Sequence, residues 1–278
     1  MYETAAICGL CSKRCHIPDG STGFCGARYA KGGLVLPLFY GKLSSLALDP
    51  IEKKPLAYFH PGSQILSAGS LGCNMSCPFC QNYHISKTYD QNEKPLTVLP
   101  KELVETALKF RSKGNIGIAF TYNEPLINFE YVRDTAKLAK REGLETVLVT
   151  NGQINRAYLE ELLPYISAWN IDLKAFSEST YKDKLSGDLK TALDTLKAAN
   201  DMAHVEVTTL VVPGISDDIQ EFKKEVDFLS GLEPKPVLHL TRYFPRYKYN
   251  APATSKTLLE QMLKIAEQKL DRVKLGNI

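Results

Sequence analysis

In the second and larger part of the chain, short apolar runs of strand length alternate with amphipathic stretches of helical length. The strand-like runs are residues 64–69, 116–121, 146–150, 169–173, 205–212 and 237–241. Apolar positions recur at helical spacing in residues 101–112, 126–141, 157–165, 189–199, 219–230 and 257–270. Strand and helix in regular alternation predict an α/β fold whose strands are parallel and joined by right-handed crossovers. Periodicity alone leaves two architectures open, a doubly wound sheet and a barrel. No internal repeat and no low-complexity linker interrupts the pattern.

Ahead of this lies a different kind of sequence. In residues 29–60 short apolar runs alternate with turn signals: Gly32-Gly33 reads as a turn, and residues 34–40 as a strand that Pro37 pushes towards a sheet edge. Residues 1–60 are therefore expected to form a small cysteine-rich cap with short strands, and residues 61–278 the main domain.

Composition narrows the class without naming an activity. An apolar fraction of 44% and a charged fraction of 23% are those of a soluble globular protein. A net charge of +3 over 278 residues argues for neither nucleic-acid nor membrane binding. The opening residues lack the basic start and apolar core of a secretory leader, and no run approaches the roughly 20 apolar residues of a membrane span, so a cytoplasmic protein is expected. The 7 cysteines fall in two tight groups, which reads as metal ligation in a reducing compartment rather than as a disulfide framework.

The sharper group is Cys73, Cys77 and Cys80, in the spacing Cys-x3-Cys-x2-Cys, with Gly72 before it and Phe79 inside it. Three thiolates on one loop suit three irons of a cubane cluster, leaving one iron open to a small molecule. The alternative is a structural zinc site, with His84 as the nearest further ligand. The second group, Cys8, Cys11, Cys15 and Cys25, lies in a Gly- and Pro-containing loop without apolar periodicity. Four thiolates there suit one closed site, zinc or iron–sulfur, that folds a segment unable to bury a core.

If the sheet is a barrel, chemistry collects where strands end. Glu124 follows the second strand in Thr121-Tyr122-Asn123-Glu124-Pro125, and it either serves a site or caps the next helix. Asn151 and Gly152 close the third strand, suited to a ribose hydroxyl or to an ordinary turn. Asp172 and Lys174 share one strand face, as a cofactor contact or as a structural ion pair. Val212-Pro213-Gly214 forms an apolar edge, with Ser216 or Asp217 expected to cap the next helix. The last strand brings His239 and Arg242, with Arg246 and Lys248 beyond, as a candidate substrate region.

These motifs resemble the radical S-adenosylmethionine (radical SAM) superfamily, in which Cys-x3-Cys-x-Phe-Cys follows a strand. The resemblance implies a partial (β/α)6 barrel of TIM type and a 4Fe-4S cluster on Cys73, Cys77 and Cys80 that binds S-adenosylmethionine. It further implies a 5′-deoxyadenosyl radical made by reductive cleavage, and a low-potential electron donor of flavodoxin or ferredoxin type. Glu124 matches the residue that binds the methionine ammonium, Asp172-Leu173-Lys174 resembles a cofactor-contacting motif of the glycyl-radical-enzyme activases, and the edge at Val212 resembles their adenine contact. Phe79, Asn82, Asn123 and Asn151 complete the implied cofactor site.

Within the superfamily the chain is similar to the AmmeMemoRadiSam-system radical enzymes. The segments that carry this likeness are the N-terminal cysteine group, DPIEKKPL at 49–56, GCNMSCPFCQNYHIS at 72–86, TYNEP at 121–125 and RYFPRYK at 242–248. Hydrogen-atom abstraction from an unidentified substrate is the expected activity, in an oxygen-protected setting. A protein substrate is allowed, because six strands leave a barrel open at one side. Installing a glycyl radical on a partner enzyme is an alternative, although no ferredoxin-like insert follows Cys80. A non-catalytic iron–sulfur electron-transfer protein would explain the cysteines but would leave Glu124, Asn151 and Asp172 without a role.

Overall fold

The computed structural model of the protein describes residues 5–87 and 94–278; the first four residues, read above for the lack of a leader, lie outside it. Eight strands form the main sheet: β1 (Ser45–Pro50), β2 (Gln64–Gly69), β3 (Asn115–Thr121), β4 (Glu145–Thr150), β5 (Ala168–Asp172), β6 (His204–Val211), β7 (Val237–Arg242) and β8 (Val273–Gly276). They neighbour one another in chain order. Only β1 runs antiparallel to its neighbour.

That order decides between the two architectures left open by periodicity. A doubly wound sheet reverses its strand order at a switch point. Here the order never reverses, so right-handed crossovers place the helices on one face and leave the other as an inner face. The helices are α1 (Pro100–Lys109), α2 (Phe129–Arg141), α3 (Arg156–Leu162), α4 (Leu189–Asn200), α5 (Ile219–Ser230) and α6 (Lys256–Glu267). Their starts are chemically marked. Asp188 caps α4 through the Thr191 amide and Ser255 caps α6 through that of Leu258. Asp218 caps α5, whereas Ser216 and Asp217, the expected caps, bond to Val212 and Gly214 within the preceding turn.

Side-chain alternation sorts the strands into two cores. Leu148, Trp169, Val207 and Leu238 face the helices, packed in one cluster with Leu103, Val132, Leu196 and Val226. Ala119, Val147 and Ala168 face the other way and gather with Ile51, Leu56 and Ile65.

The segment between β1 and β2 crosses this inner face. Pro55 accepts a bond from Asn170 Nδ2 at 2.9 Å, and the Ala57 and Tyr58 amides reach Glu206 on β6 at 2.9 and 2.7 Å. The Tyr58 ring then lies under Arg272 and Lys274. Thus β1, expected within the cap, is a strand of the main sheet, and the residues after it line the sheet's interior. Before β1, short antiparallel pairs remain, Ala5–Ile7 with His16–Pro18 and Arg28–Lys31 with Leu34–Pro37. Arg28 ties them to α2 by a two-pronged bond to Glu130 at 2.5 and 2.8 Å.

Glu206 also engages two histidines. His239, expected beside Arg242 in the substrate region, instead turns its Nε2 to Glu206 Oε2 at 2.5 Å and is buried. His204 meets the other carboxylate oxygen at 2.9 Å. His239 points inward from the middle of β7, paired in register with Thr208, whereas Arg242 sits at the strand's C-terminal end. Two residues, Leu240 and Thr241, separate the two positions, and the buried carboxylate takes the imidazole.

Burial alone would raise the Glu206 carboxyl, but bonds from His204, His239 and the Ala57 and Tyr58 amides bring it down from 4.5 to about 2. A folded value below the unfolded one stabilises the protein fully above pH 4.5, and that contribution is lost as pH falls towards 2. Glu206→Gln keeps one acceptor oxygen and loses the charge, so it should lower the unfolding free energy at pH 7 by about 1–3 kcal/mol in urea titrations. Its stability should also fall less steeply below pH 4.5 than that of the wild type. Equal stability and equal acid slopes for the two proteins would remove Glu206 as the tie between residues 57–58 and β6.

Candidate active site

The cysteine loop leaves the end of β2 and is held on every side by backbone bonds. Ser70 N–H donates to Asn123 Oδ1 at 2.9 Å, Gly72 N–H to the Ile85 carbonyl at 2.8 Å and Ser76 N–H to the Leu185 carbonyl at 2.8 Å. Cys73 N–H donates to the Cys25 carbonyl at 3.3 Å, so the N-terminal cysteine segment lies directly against this loop. Gly72 makes that approach possible: its φ is +89°, and a Cβ there would stand 2.5 Å from the Cys25 carbonyl oxygen. From the other side Lys87 Nζ donates to the Cys73 carbonyl at 2.8 Å.

Cys73, Cys77 and Cys80 are all free thiols. Burial pushes Cys73 upward, with Glu124 and Cys77 adding to the effect. Burial also raises Cys77 to about 11, against the pull of the Lys174 ammonium. Thiols held this high are poor as free nucleophiles, and they ionise when a cation takes the proton's place. Donors already face the sulfur: the Met75 amide at 3.4 Å and Asn151 Nδ2 at 3.7 Å from Cys73 Sγ. Lys174 pairs with Asp172 at 2.9 Å, and although burial opposes its charge, Asp172 and Cys77 hold its pKa above the ordinary lysine value. The Asp172–Lys174 pair is thus both an ion pair and a neighbour of the thiols.

Glu124 is buried, with both oxygens engaged. Oε1 accepts from Thr150 Oγ1 at 2.6 Å and from the Leu126 amide at 3.0 Å, while Oε2 accepts from the Asn151 amide at 2.8 Å. Burial raises its carboxyl to about 7; the three bonds oppose the rise and nearby Asp172 adds to it. It caps the short turn Pro125–Asn128 and also holds the end of β4 beside Cys73. Asn151 in turn donates to Asn74 Oδ1 at 3.0 Å.

Phe79 and Val212 are buried in one cluster with Met75 and Tyr243, so the apolar edge after β6 packs on the cysteine loop. Asn123 spans to the Gly72 carbonyl at 3.1 Å. Arg242 sits half-buried at the end of β7, where Nε donates to the Thr254 carbonyl at 2.8 Å. The strand ends therefore bring Glu124, Asn151, Asp172, Lys174 and Val212 around the cysteines, and leave His239 out.

Asn82 also links to three residues given no role from the sequence, Tyr122, Asp49 and Lys54. Asn82 donates to the Tyr122 carbonyl at 2.7 Å, and Tyr122, at φ +72°, sends its hydroxyl to Asp49 at 2.6 Å. Lys54, 1% exposed, lies 2.9 Å from the same carboxylate and 4.6 Å from the Tyr122 ring centroid. Burial opposes ionisation of Asp49, yet the Tyr122 and Lys54 bonds keep its pKa well below the ordinary carboxylate range. Tyr122 thus holds a left-handed backbone that glycine enters more readily, kept there by side-chain bonds in place of backbone freedom. The signal was the segment 49–56, whose partner lies 73 residues away from Asp49.

The second cysteine group lines one small enclosed cavity with Lys13, Phe24, Arg28 and Asn74. Burial raises Cys11 to about 11, and the charges of Cys8, Cys25 and Cys15 add to the effect. Arg28 Nε is buried beside these thiols without a hydrogen-bond partner. Among the described residues, no three Cys, His, Asp or Glu side chains already stand in a geometry that holds a metal ion. No helix of the described residues is long and apolar enough to cross a membrane.

The model of the radical SAM superfamily matches residues 69–229. Over 276 residues the chain is 37% identical to an uncharacterized protein of Methanocaldococcus jannaschii, covering 98% of this chain and 81% of that one. Over 181 residues it is 29% identical to the pyruvate formate-lyase 1-activating enzyme of Escherichia coli K12, covering 62% and 73%. Among solved structures, SuiB of Streptococcus suis bound to S-adenosylmethionine aligns with TM-score 0.59 at 15% identity, over 77% of this chain and 52% of SuiB. A domain of the pyruvate-formate lyase-activating enzyme of Bacteroides vulgatus aligns with TM-score 0.51 at 18% identity, over 58% of this chain and 99% of that domain. At such identities the structural likeness speaks for the fold alone.

Lys54→Met removes the buried countercharge of Asp49 and leaves it only the exposed Lys53, 3.3 Å from its other oxygen. The substitution should cost about 1.5–3 kcal/mol in denaturant titrations at pH 7, the worth of one hydrogen bond to a charged group. A loss under about 1 kcal/mol would show that Tyr122 and Lys53 satisfy the carboxylate without Lys54.

Proposed function

The chain belongs to the radical SAM superfamily and is an enzyme related to the glycyl-radical-enzyme activases, and from that premise we propose that its strand ends form a site for S-adenosylmethionine beside a 4Fe-4S cluster. The observation that carries the reading is the loop of three free, closely spaced thiols faced by Asn151 and Lys174. Cys73, Cys77 and Cys80 would hold the cluster, and the N–H donors at Cys73 would accept its added negative charge. Bound there, a cluster supplies the single electron for reductive cleavage of S-adenosylmethionine to a hydrogen-abstracting 5′-deoxyadenosyl radical.

The chain's own part is to bind, orient and shield. Glu124 offers a carboxylate to the methionine ammonium, and its buried position makes a cation welcome. Asn123 and Asn82 keep the loop carbonyls in place behind it. Asp172 and Lys174 present a charge pair at the strand end, and Val212 with Phe79 forms an apolar wall for the adenine. The unreversed order of parallel strands supports a partial barrel for this site. A second reading, glycyl-radical activation of a partner enzyme, is favoured by the likeness to the Escherichia coli activating enzyme over 62% of this chain. Either reading calls for a low-potential donor of flavodoxin or ferredoxin type.

Cys8, Cys11, Cys15 and Cys25 would hold a second metal, zinc or iron–sulfur, in the N-terminal segment. Their shared cavity and the unpartnered Arg28 Nε, a ready donor to thiolate sulfur, support that site.

Anaerobically reconstituted protein, reduced with dithionite and given S-adenosylmethionine, should form 5′-deoxyadenosine, and Glu124→Gln should raise the KM for S-adenosylmethionine at least tenfold. No 5′-deoxyadenosine from protein carrying a full, reduced cluster would sink the enzyme assignment. For the second metal, a Cys73→Ser, Cys77→Ser, Cys80→Ser triple variant should keep either zinc or iron with sulfide after purification. A metal-free triple variant that remains folded would rule the second site out.

A further inference from the structure

A cavity of about 590 Å³ opens beside the cysteine loop at the C-terminal ends of β6 and β7. It is of the size of small-molecule sites, roughly 300–1,000 Å³. Its walls come from Phe79 and Gln81 on the cysteine loop, Leu210 on β6, and Arg242, Phe244 and Arg246 after β7. Two guanidinium groups line it and no Asp or Glu side chain does, while Asn277 and Ile278 close its far wall. Among the described residues neither arginine forms an ion pair, although Arg28, Arg133 and Arg156 each find a carboxylate.

Arg242 is prepared rather than loose. Its Nε is spent on the Thr254 carbonyl, and its guanidinium carbon lies 4.9 Å from the Phe244 ring centroid. This anchoring leaves its terminal N–H groups for an anion, in the planar fork that suits a carboxylate or phosphate. The arginine loop is also fastened to the cysteine loop. Lys248 N–H donates to the Pro78 carbonyl at 3.0 Å, Tyr247 stacks on Tyr83 with centroids 4.4 Å apart, and Phe79 meets the rings of Tyr243 and Tyr249 edge-on. An anion held by the arginines would thus stand at a set distance from the thiols.

We propose that this cavity is the substrate site and that the substrate carries a carboxylate or phosphate group, bound by Arg242 and Arg246, with its apolar part against Phe244 and Leu210. The assignment of a substrate rests on the function proposed above; the anion site itself does not.

The test reads binding without requiring turnover. Phenylglyoxal, which modifies arginines, is applied to the reconstituted protein, and the rate at each arginine is followed by peptide mass spectrometry. Inorganic phosphate or succinate should slow modification at Arg242 and Arg246 at least threefold relative to sodium chloride of equal ionic strength, with no change at exposed Arg14. The stronger protector distinguishes a phosphorylated from a carboxylate substrate. In Arg246→Gln, an exposed substitution, the protection remaining at Arg242 should fall at least twofold. No protection, equal protection by chloride, or equal protection at Arg14 would overturn the proposal. A parallel 5′-deoxyadenosine assay separates the two ideas: cleavage without anion protection sinks the substrate class alone, and protection without cleavage sinks the radical reaction alone.

Discussion

The buried pair of Asp49 and Lys54 constrains more of the structure than any other contact. An ammonium that is 1% exposed is tolerable only beside a countercharge, and its single carboxylate partner stands on β1. Satisfying it draws the residues after β1 against the inner face of the sheet, where Ile51 and Leu56 add apolar contacts and Ala57 and Tyr58 reach Glu206. The same carboxylate takes the Tyr122 hydroxyl, which holds Tyr122 in its left-handed conformation and leaves its carbonyl for Asn82. One charge pair deep in the sheet is thereby linked, bond by bond, to the cysteine loop at the strand ends.

Nearer the thiols, most polar groups have two duties. Glu124 caps a turn and secures the end of β4; Asn151 bonds to Asn74 and approaches Cys73; Asp172 pairs with Lys174 beside Cys77. A side chain braced from behind has little left to reorganise when a charged ligand arrives, which is the physical content of preorganisation. The N-terminal segment belongs to this framework as well. Its Cys25 carbonyl receives the Cys73 amide, and Asn74 borders the cavity of the four N-terminal cysteines. Loss of order in either cysteine segment would therefore be felt by the other.

Much of the fold was legible in the chain. Residues 219–230 were expected as a helix and form α5 with the same bounds, because a strong amphipathic stripe and an acidic cap agree there. Two strands of the main sheet escaped notice. β1 carries a mixed burial pattern ending in a proline, and β8 is four residues long with no buried position, so neither presents the alternation that marks a strand. The cysteine loop was legible for a different reason: its three thiols are neighbours in sequence, and their spacing already expresses the chemistry.

The sequence by itself determined the α/β alternation, the two cysteine groups and the collection of polar residues after strands, all of which are written in windows of a few residues. Only the tertiary structure decided that the sheet keeps its strand order, that His239 bonds to Glu206, and that Asp49 and Lys54 hold Tyr122. The reason is physical. Glu206 and His239 are 33 residues apart and Asp49 and Tyr122 are 73, and a charge or hydroxyl carries no local mark of the partner that the folded chain will bring to it.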